Sequence, residues 1–218
     1  MSETAPTAAE IEKMFTNNGR YIFARWARPI APVVFGTDDE SLGVIKDAFQ
    51  TVASLADMRL AETDPELGAN FMIFFCTDWS EIKAVPDLDR LMGNLDGLVA
   101  ELDKSGANQY RSFAFDPEGA IKLCVLLLKY DDDMAQLSAQ ALATGQMAQA
   151  MLLWGPEAFL EKSPIGIIEA SNMAIVRPSI AALIRAAYDK TMPDTASDAS
   201  HALRLEARVK ALMEADDV

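Results

Sequence analysis

The histidine and cysteine content sets the first limit on the chemistry available to this chain. His201 is the only imidazole among 218 residues, which excludes sites that need two histidines. It follows Ser200 at a polar predicted helix start, where no sequence neighbour orients it as a general base, so we expect a solvated histidine. Cys76 and Cys124 each lie in an apolar run and are too few for a four-thiolate metal site. We expect both to be reduced and buried.

Carboxylates are abundant and fall into three clusters, at residues 38–40, 131–133 and 214–217. Hard cations bind such oxygens, but no cluster has the alternating ligands, central glycine and final glutamate of a calcium loop. The first two clusters precede predicted helices, where negative charge is favoured by the helix dipole. We therefore interpret these two as helix caps and the third as a frayed tail.

A basic island formed by Arg20, Arg25 and Arg28 surrounds Trp26. On a strand, Arg25 and Arg28 would point to opposite faces, so they do not form one clamp. Trp26 is interpreted as a core anchor. The three arginines stay a candidate contact for an anion or a partner. Phosphate-binding loops are excluded because no Gly-Lys-Ser/Thr sequence occurs.

Two glutamines three residues apart, Gln146 and Gln149, share one face of a long helix predicted over residues 134–154. Their amides can be satisfied by hydrogen bonds but serve neither as general bases nor as tight zinc ligands. Taken alone, they predict either a buried polar network or a solvated stripe.

The elements that must position these residues alternate between helical and extended patterns. Apolar residues at steps of three and four predict helices over residues 42–56, 88–102 and 202–212, and Thr7 with Glu10 has capping-box spacing. Residues 70–77 form an apolar run typical of a buried strand. A hairpin is predicted at about 110–130 around the turn Asp116-Pro117-Glu118-Gly119. Two prolines make residues 21–35 an edge strand or an extended pair, and residues 159–175 stay unassigned.

This pattern predicts an α+β fold, with a small mixed or antiparallel sheet packed by several amphipathic helices. We expect a mobile tail over residues 1–6 and a single domain over 7–218. A C-terminal helical arm should cover about 195–215.

The net charge of −14 comes from 19 basic and 33 acidic side chains. Such a surface disfavours nucleic acid and anionic lipid, because both need clustered Lys and Arg. No apolar run is long enough to span a bilayer, and the polar start Met1-Ser2-Glu3-Thr4 lacks the features of a secretory signal. We therefore expect a cytoplasmic protein without direct membrane insertion.

Several segments, in order, resemble a family of uncharacterised bacterial proteins with a degenerate zincin-like (metalloprotease-like) fold that lacks His-Glu-x-x-His. They are Arg25-Trp26 with Pro29-Ile30, the helix at 41–58, Ala69-Asn70-Phe71-Met72-Ile73, and Ile184-Arg185-Ala186-Ala187-Tyr188-Asp189 before Met192-Pro193. The resemblance spans about residues 20–210. It implies a zincin-like fold in which the helix with the two glutamines replaces the metal-binding helix.

The resemblance also implies what the degenerate metal site contains. Gly145 and Gln149 occupy the two zinc-histidine positions, and Gln146 occupies the general-base position. Zinc needs His, Cys or carboxylate ligands, and hydrolysis needs a base for the attacking water. The resemblance therefore implies a protein that binds no metal and no other cofactor.

These observations together predict a non-catalytic accessory or regulatory subunit that binds another protein with a basic surface. One alternative is an enzyme that uses carboxylates or the Arg20, Arg25 and Arg28 region on a small substrate. Another is a purely structural subunit. A polar pocket with converging titratable groups would favour an enzyme, whereas exposed apolar surface would favour a binding subunit.

Overall fold

A computed structural model describes residues 3–216 of the chain. The helices are α1 (Ala8–Met14), α2 (Asp39–Ala53), α3 (Leu88–Met92), α4 (Leu95–Ser105), α5 (Ala139–Ala150), α6 (Pro178–Ala187) and α7 (Ser200–Asp216). Short 3-10 turns cover Ser54–Ala56, Trp79–Ala84 and Met134–Gln136. The strands are β1 (Thr16–Asn17), β2 (Arg20–Tyr21), β3 (Phe23–Ala24), β4 (Pro32–Phe35), β5 (Phe71–Cys76), β6 (Gln109–Phe115), β7 (Ile121–Lys129), β8 (Ile165–Ile168), β9 (Met173–Val176) and β10 (Thr195–Ala196).

The main sheet has four strands in the order β4-β5-β7-β6. Strands β4, β5 and β7 are parallel, and β6 runs antiparallel to β7 at one edge. The predicted α+β class and the mixed sheet are therefore confirmed, as is the β6–β7 hairpin. Its turn is closed by a 3.0 Å hydrogen bond from the Gly119 amide to the Asp116 carbonyl.

Helices cover both faces of this sheet. One face packs against the Trp79–Ala84 turn and α4, where Trp79, Val99 and Leu127 are buried. The other face carries the larger core, which includes residues of α2, α5, α6 and α7. Strands β5 and β7 have nearly continuous apolar sequences because both of their faces are buried.

Helix α5 lies across the larger core and is shorter than the predicted helix over 134–154. Leu137 is extended, with ψ at 139°, and ends the 3-10 turn that precedes α5. The helix then begins after Ser138, whose hydroxyl accepts a hydrogen bond from the Ala141 amide at 3.1 Å. Asp131 caps the 3-10 turn rather than a long helix, since its carboxylate accepts from the Met134 amide at 2.8 Å.

Two other predicted elements are also interrupted. The helix expected over 88–102 breaks into α3 and α4 at Gly93, which has a φ of +75°, and Asn94 caps α4 by accepting from the Gly97 amide. The extended segment at 21–35 divides into short strands. Strand β3 leaves the main sheet to pair with β10, while β4 becomes an edge strand as expected.

The unassigned segment at 159–175 contains strand β8 and most of β9, which pair as an antiparallel hairpin. Of the expected tail, Met1 and Ser2 lie outside the described residues. Glu3 accepts a hydrogen bond from the Ser179 amide at 3.1 Å, and Pro6 is buried. The frayed tail expected at 214–217 falls partly within α7, and Asp217 lies outside the described residues. Within residues 3–216, no helix is both long enough and apolar enough to cross a bilayer.

Candidate functional site

A cavity of about 430 Å³ lies at the carboxyl ends of β4, β5 and β7, between α2 and α5. Its floor is apolar and is formed by Ile45, Phe49, Ile73, Phe75, Leu126, Leu128, Leu142 and Ala143. Its mouth is formed by the loops that follow the three parallel strands. Crevices at this edge of a sheet are common ligand sites, because the loops there are free to vary around a rigid frame.

Gly36 allows the loop after β4 to press against β5. Its φ is +79°, and a Cβ at this position would lie 2.2 Å from the carbonyl oxygen of Phe75. Glycine is therefore required here for both conformation and space. The close approach places Asp38, the N-cap of α2, at the cavity mouth.

The two carboxylates of the cavity wall are already committed to local hydrogen bonds. Asp38 accepts from the Ser41 amide at 2.7 Å, and this bond is the main reason that the pKa of Asp38 is lowered. Glu81 accepts from the Thr77 hydroxyl at 2.6 Å and from two backbone amides, which lowers the pKa of Glu81. Both groups are ionised at neutral pH and are weak bases.

Both cysteines are free and buried, as the sequence predicted. Cys76 lines the cavity, and burial raises the pKa of its thiol to about 11. Burial raises the pKa of Cys124 to about 12. A thiol with a raised pKa is a poor nucleophile, so neither side chain has the character of a catalytic cysteine.

Gln146 is buried, forms part of the cavity wall and belongs to a partly buried polar network. Its amide oxygen accepts from the guanidinium of Arg111, and its amide nitrogen donates to the side chain of Gln109 at 2.9 Å. Gln149 accepts from the same guanidinium at 3.3 Å. The two glutamines predicted either a polar network or a solvated stripe, and the structure shows the network.

Arg111 enters this network without a carboxylate. Among the described residues, no acidic side chain lies within 4.0 Å of its guanidinium, and its buried Nε has no hydrogen-bond partner. Burial lowers the pKa of Arg111. Sequence patterns did not single out Arg111. The signal that the sequence offered was a basic side chain in the first strand of the predicted hairpin, whose second strand is an apolar run.

The residues that the resemblance assigns to a degenerate metal site do not fit a zinc ion. Gly145 supplies no side chain, and a Cβ there would contact Ile165 at 3.8 Å. The oxygens of Gln146 and Gln149 face the cationic guanidinium of Arg111, which would repel a divalent ion. In the described part of the chain, no group of three or more His, Cys, Asp or Glu side chains is arranged to hold a metal.

The predicted arginine site does not converge on one point. Arg25 pairs with Asp194 at 2.7 Å, and its guanidinium lies 4.9 Å from the ring centre of Tyr188. Arg28 pairs with Glu66 at 3.2 Å. These two arginines line one open depression, whereas Arg20 lies exposed in the β1–β2 hairpin.

Trp26, in the same segment, is buried as a core anchor and donates through its indole Nε1 to the Ala150 carbonyl at 2.8 Å. It thereby ties the segment after β3 to the end of α5.

The expectation of a solvated His201 is wrong. The side chain is 3% exposed, its Nδ1 lies 2.7 Å from the Tyr21 hydroxyl, and its ring centre lies 4.4 Å from that of Phe23. Burial, assisted by the charges of two nearby arginines, lowers its pKa to about 4. His201 precedes buried Leu205 by one helical turn, a spacing that places both on the inner face of α7.

Comparisons with protein families, with curated proteins and with solved structures found no match to this chain. The function is therefore argued from the geometry of the cavity and its surroundings.

Proposed function

We propose that this chain is a non-catalytic accessory or regulatory subunit that binds another protein through the surface around the cavity. One observation carries the proposal: the pKa values of the two carboxylates and the thiol of the cavity wall are shifted away from neutral pH, where a general acid or base would need them. Asp38 and Glu81 are held ionised, and Cys76 is held as a thiol. A general acid or base works best with a pKa near the operating pH.

The surroundings of the cavity favour docking. Tyr130 and Leu137 line its mouth and are 51% and 47% exposed. Clustered apolar side chains of this size on an otherwise acidic surface are typical of interaction sites.

The finer part of the proposal is that the fold is a zincin-like scaffold without metal. Its support is the placement of Gly145, Gln146 and Gln149 on the helix across the sheet, with a guanidinium bound between the two glutamine oxygens. Arg111 supplies positive charge there, and within residues 3–216 no carboxylate that could activate a water lies within 4.0 Å of its guanidinium. The accessory role and the zincin-like scaffold are separate claims, and only the first concerns binding.

The test is purification of the tagged full-length chain from its native cells in low-salt buffer. We expect one protein to be recovered at a fixed stoichiometry and to be released as salt is raised. The same preparation is incubated with a metabolite extract and followed by mass spectrometry. Conversion of a small molecule, together with no stoichiometric partner, would overturn the proposal in favour of a carboxylate- or arginine-dependent enzyme.

A further inference from the structure

We infer that the cavity between α2 and α5 receives a basic amphipathic segment of the partner protein, with an apolar side chain in the cavity and Lys or Arg side chains on its rim. This inference rests on the proposed function and names the chemistry of the partner.

The segments that follow the three parallel strands, at whose ends the cavity lies, are acidic. Asp38 and Glu81 line the cavity itself. The same three segments also carry Asp39 and Glu40 in the first turn of α2, Asp78 after β5, and Asp131, Asp132 and Asp133 after β7. These eight carboxylates are called the rim. Most of these side chains are exposed. Within residues 3–216, no Lys or Arg forms an ion pair with any of the eight. The nearby Lys83 and Lys129 pair instead with Asp96 and Asp103.

Local hydrogen bonds keep this rim charged. The pKa values of Asp78 and Asp131 are lowered chiefly by hydrogen bonds from Ser80 and from the Met134 amide, as those of Asp38 and Glu81 are by their own partners. Because these donors belong to the same loops, the charges are fixed in place before any partner arrives. A cationic partner therefore meets a preorganised negative surface.

The cavity supplies the apolar half of the interaction. At about 430 Å³ it lies within the range of roughly 300–1,000 Å³ that is typical of ligand pockets. The exposed side chains of Tyr130 and Leu137 extend the apolar surface beyond its mouth. A small cationic molecule inside the cavity would leave these two uncovered. A segment of protein chain would cover them while its basic residues reach all three acidic loops.

A cross-linking experiment on the full chain locates the contact. A photoreactive amino acid replaces Leu137 at the mouth, and in a control chain it replaces Leu203 of α7, which is 60% exposed and does not line the cavity. After irradiation in the native cell, the joined peptide is sequenced by mass spectrometry. We expect a peptide with apolar and basic residues from position 137 and none from position 203. A joined peptide without Lys or Arg, a nucleic acid or a lipid would overturn the inference.

A matched pair of triple variants tests the charge. Asp39→Asn, Glu40→Gln and Asp132→Asn remove three charges from the rim. Glu12→Gln, Glu101→Gln and Glu169→Gln remove equal charge from exposed positions in α1, in α4 and between β8 and β9. The probe is a fluorescein-labelled amphipathic peptide of lysine and leucine, with a glutamate and leucine peptide as its control. We expect the rim variant to associate about tenfold more slowly at low salt, and the control variant to stay close to the natural chain.

The outcomes separate this inference from the proposed function. Equal effects of the two triple variants, while the cellular partner is still recovered, would place the partner elsewhere and overturn only the inference. If no stoichiometric partner is recovered with any of the chains, the natural one included, the proposed function and the inference are both overturned.

Discussion

The guanidinium of Arg111 is held by amide oxygens where a carboxylate would be the usual partner. A buried charge costs several kcal/mol unless hydrogen bonds replace its hydration, so the two glutamines stabilise the fold mainly by satisfying Arg111. Replacing one glutamine by an apolar residue would leave the Arg111 guanidinium with too few hydrogen-bond acceptors and would destabilise the fold. Replacing Arg111 as well would remove the charge and therefore this destabilisation.

We predict that Gln146→Leu lowers the free energy of unfolding by about 2–4 kcal/mol, because it strands the Arg111 guanidinium. Adding Arg111→Met should restore more than half of this loss. Urea denaturation of the natural chain, both single variants and the double variant completes the cycle. Additive effects of the two substitutions would show that the pair does not interact.

Protonation of His201 is predicted to destabilise the fold in mild acid. Its pKa is about 4 in the folded chain and 6.5 in the absence of burial, so the unfolded chain binds the proton first as the pH falls. The stabilisation is complete above pH 6.5 and should decrease by roughly 3 kcal/mol as the pH approaches 4.

The control for this pH dependence is His201→Gln, which retains a polar partner for the Tyr21 hydroxyl but does not titrate. Unfolding free energies at pH 7.5 and 4.5 are compared for both chains. The glutamine variant should lose less stability across this interval. An identical slope in the two chains would assign the acid sensitivity to other groups.

Cys76 and Cys124 should react slowly with a thiol reagent in the native protein and rapidly in denaturant. Burial raises the pKa of both thiols to about 11 and 12, which keeps the thiolate fraction small. The measurement is the rate of labelling followed by mass spectrometry. Fast native labelling of either side chain would instead identify a reactive site.

At the scale of elements, the loop between β4 and α2 decides whether the cavity mouth forms. Gly36→Ala would bring a Cβ to 2.2 Å from the Phe75 carbonyl oxygen in a conformation that disfavours side chains. We predict that this variant lowers the free energy of unfolding by about 3 kcal/mol or more, as measured by thermal or urea denaturation.

The matched control is Gly43→Ala within α2, where a Cβ meets no atom within 4 Å. Alanine is the better helix former, so the free energy of unfolding of this variant should rise by about 0.5–1 kcal/mol. Equal behaviour of the two variants would mean that the contact between Gly36 and β5 does not constrain the loop.

Local patterns predicted the elements whose signals are complete within the sequence. The capping box of Thr7 and Glu10 and the turn at 116–119 are each defined by neighbouring residues. The breaks at Gly93 and Ser138 have local causes, which the regular apolar spacing of the predicted helices concealed. The pairing of β3 with β10, about 170 residues further along the chain, is one that no local pattern can show.

The candidate site was predicted only in part, because some of its residues come together only in the folded chain. Gln146 and Gln149 stood out by their spacing on an apolar helix, whereas Arg111 belongs to a different element and meets them only after the sheet forms. The cavity itself joins the ends of three strands. The acidic clusters at 38–40 and 131–133 were predicted as helix caps, which is correct for Asp38 but not for 131–133, where Ser138 caps the helix. Their position at the ends of parallel strands follows from strand order alone.

At the scale of the whole molecule, the net charge of −14 should control the rate at which a basic partner associates. Exposed charges act over about 8 Å at physiological ionic strength and over longer distances at low salt. We predict that the association rate constant falls steeply between 50 and roughly 300 mM salt, while the dissociation rate constant changes little. Stopped-flow mixing with the isolated partner measures both. Salt dependence confined to dissociation would contradict electrostatic steering.

The pairing of Phe23–Ala24 with Thr195–Ala196 also bears on the synthesis of this protein. A ribosome releases the first of these strands long before it has made the second, and Trp26 likewise waits for the Ala150 carbonyl. The β3 segment therefore leaves the exit tunnel with apolar side chains that have no strand to pair with until about 170 further residues have been made. This part of the fold forms late relative to the synthesis of its own residues.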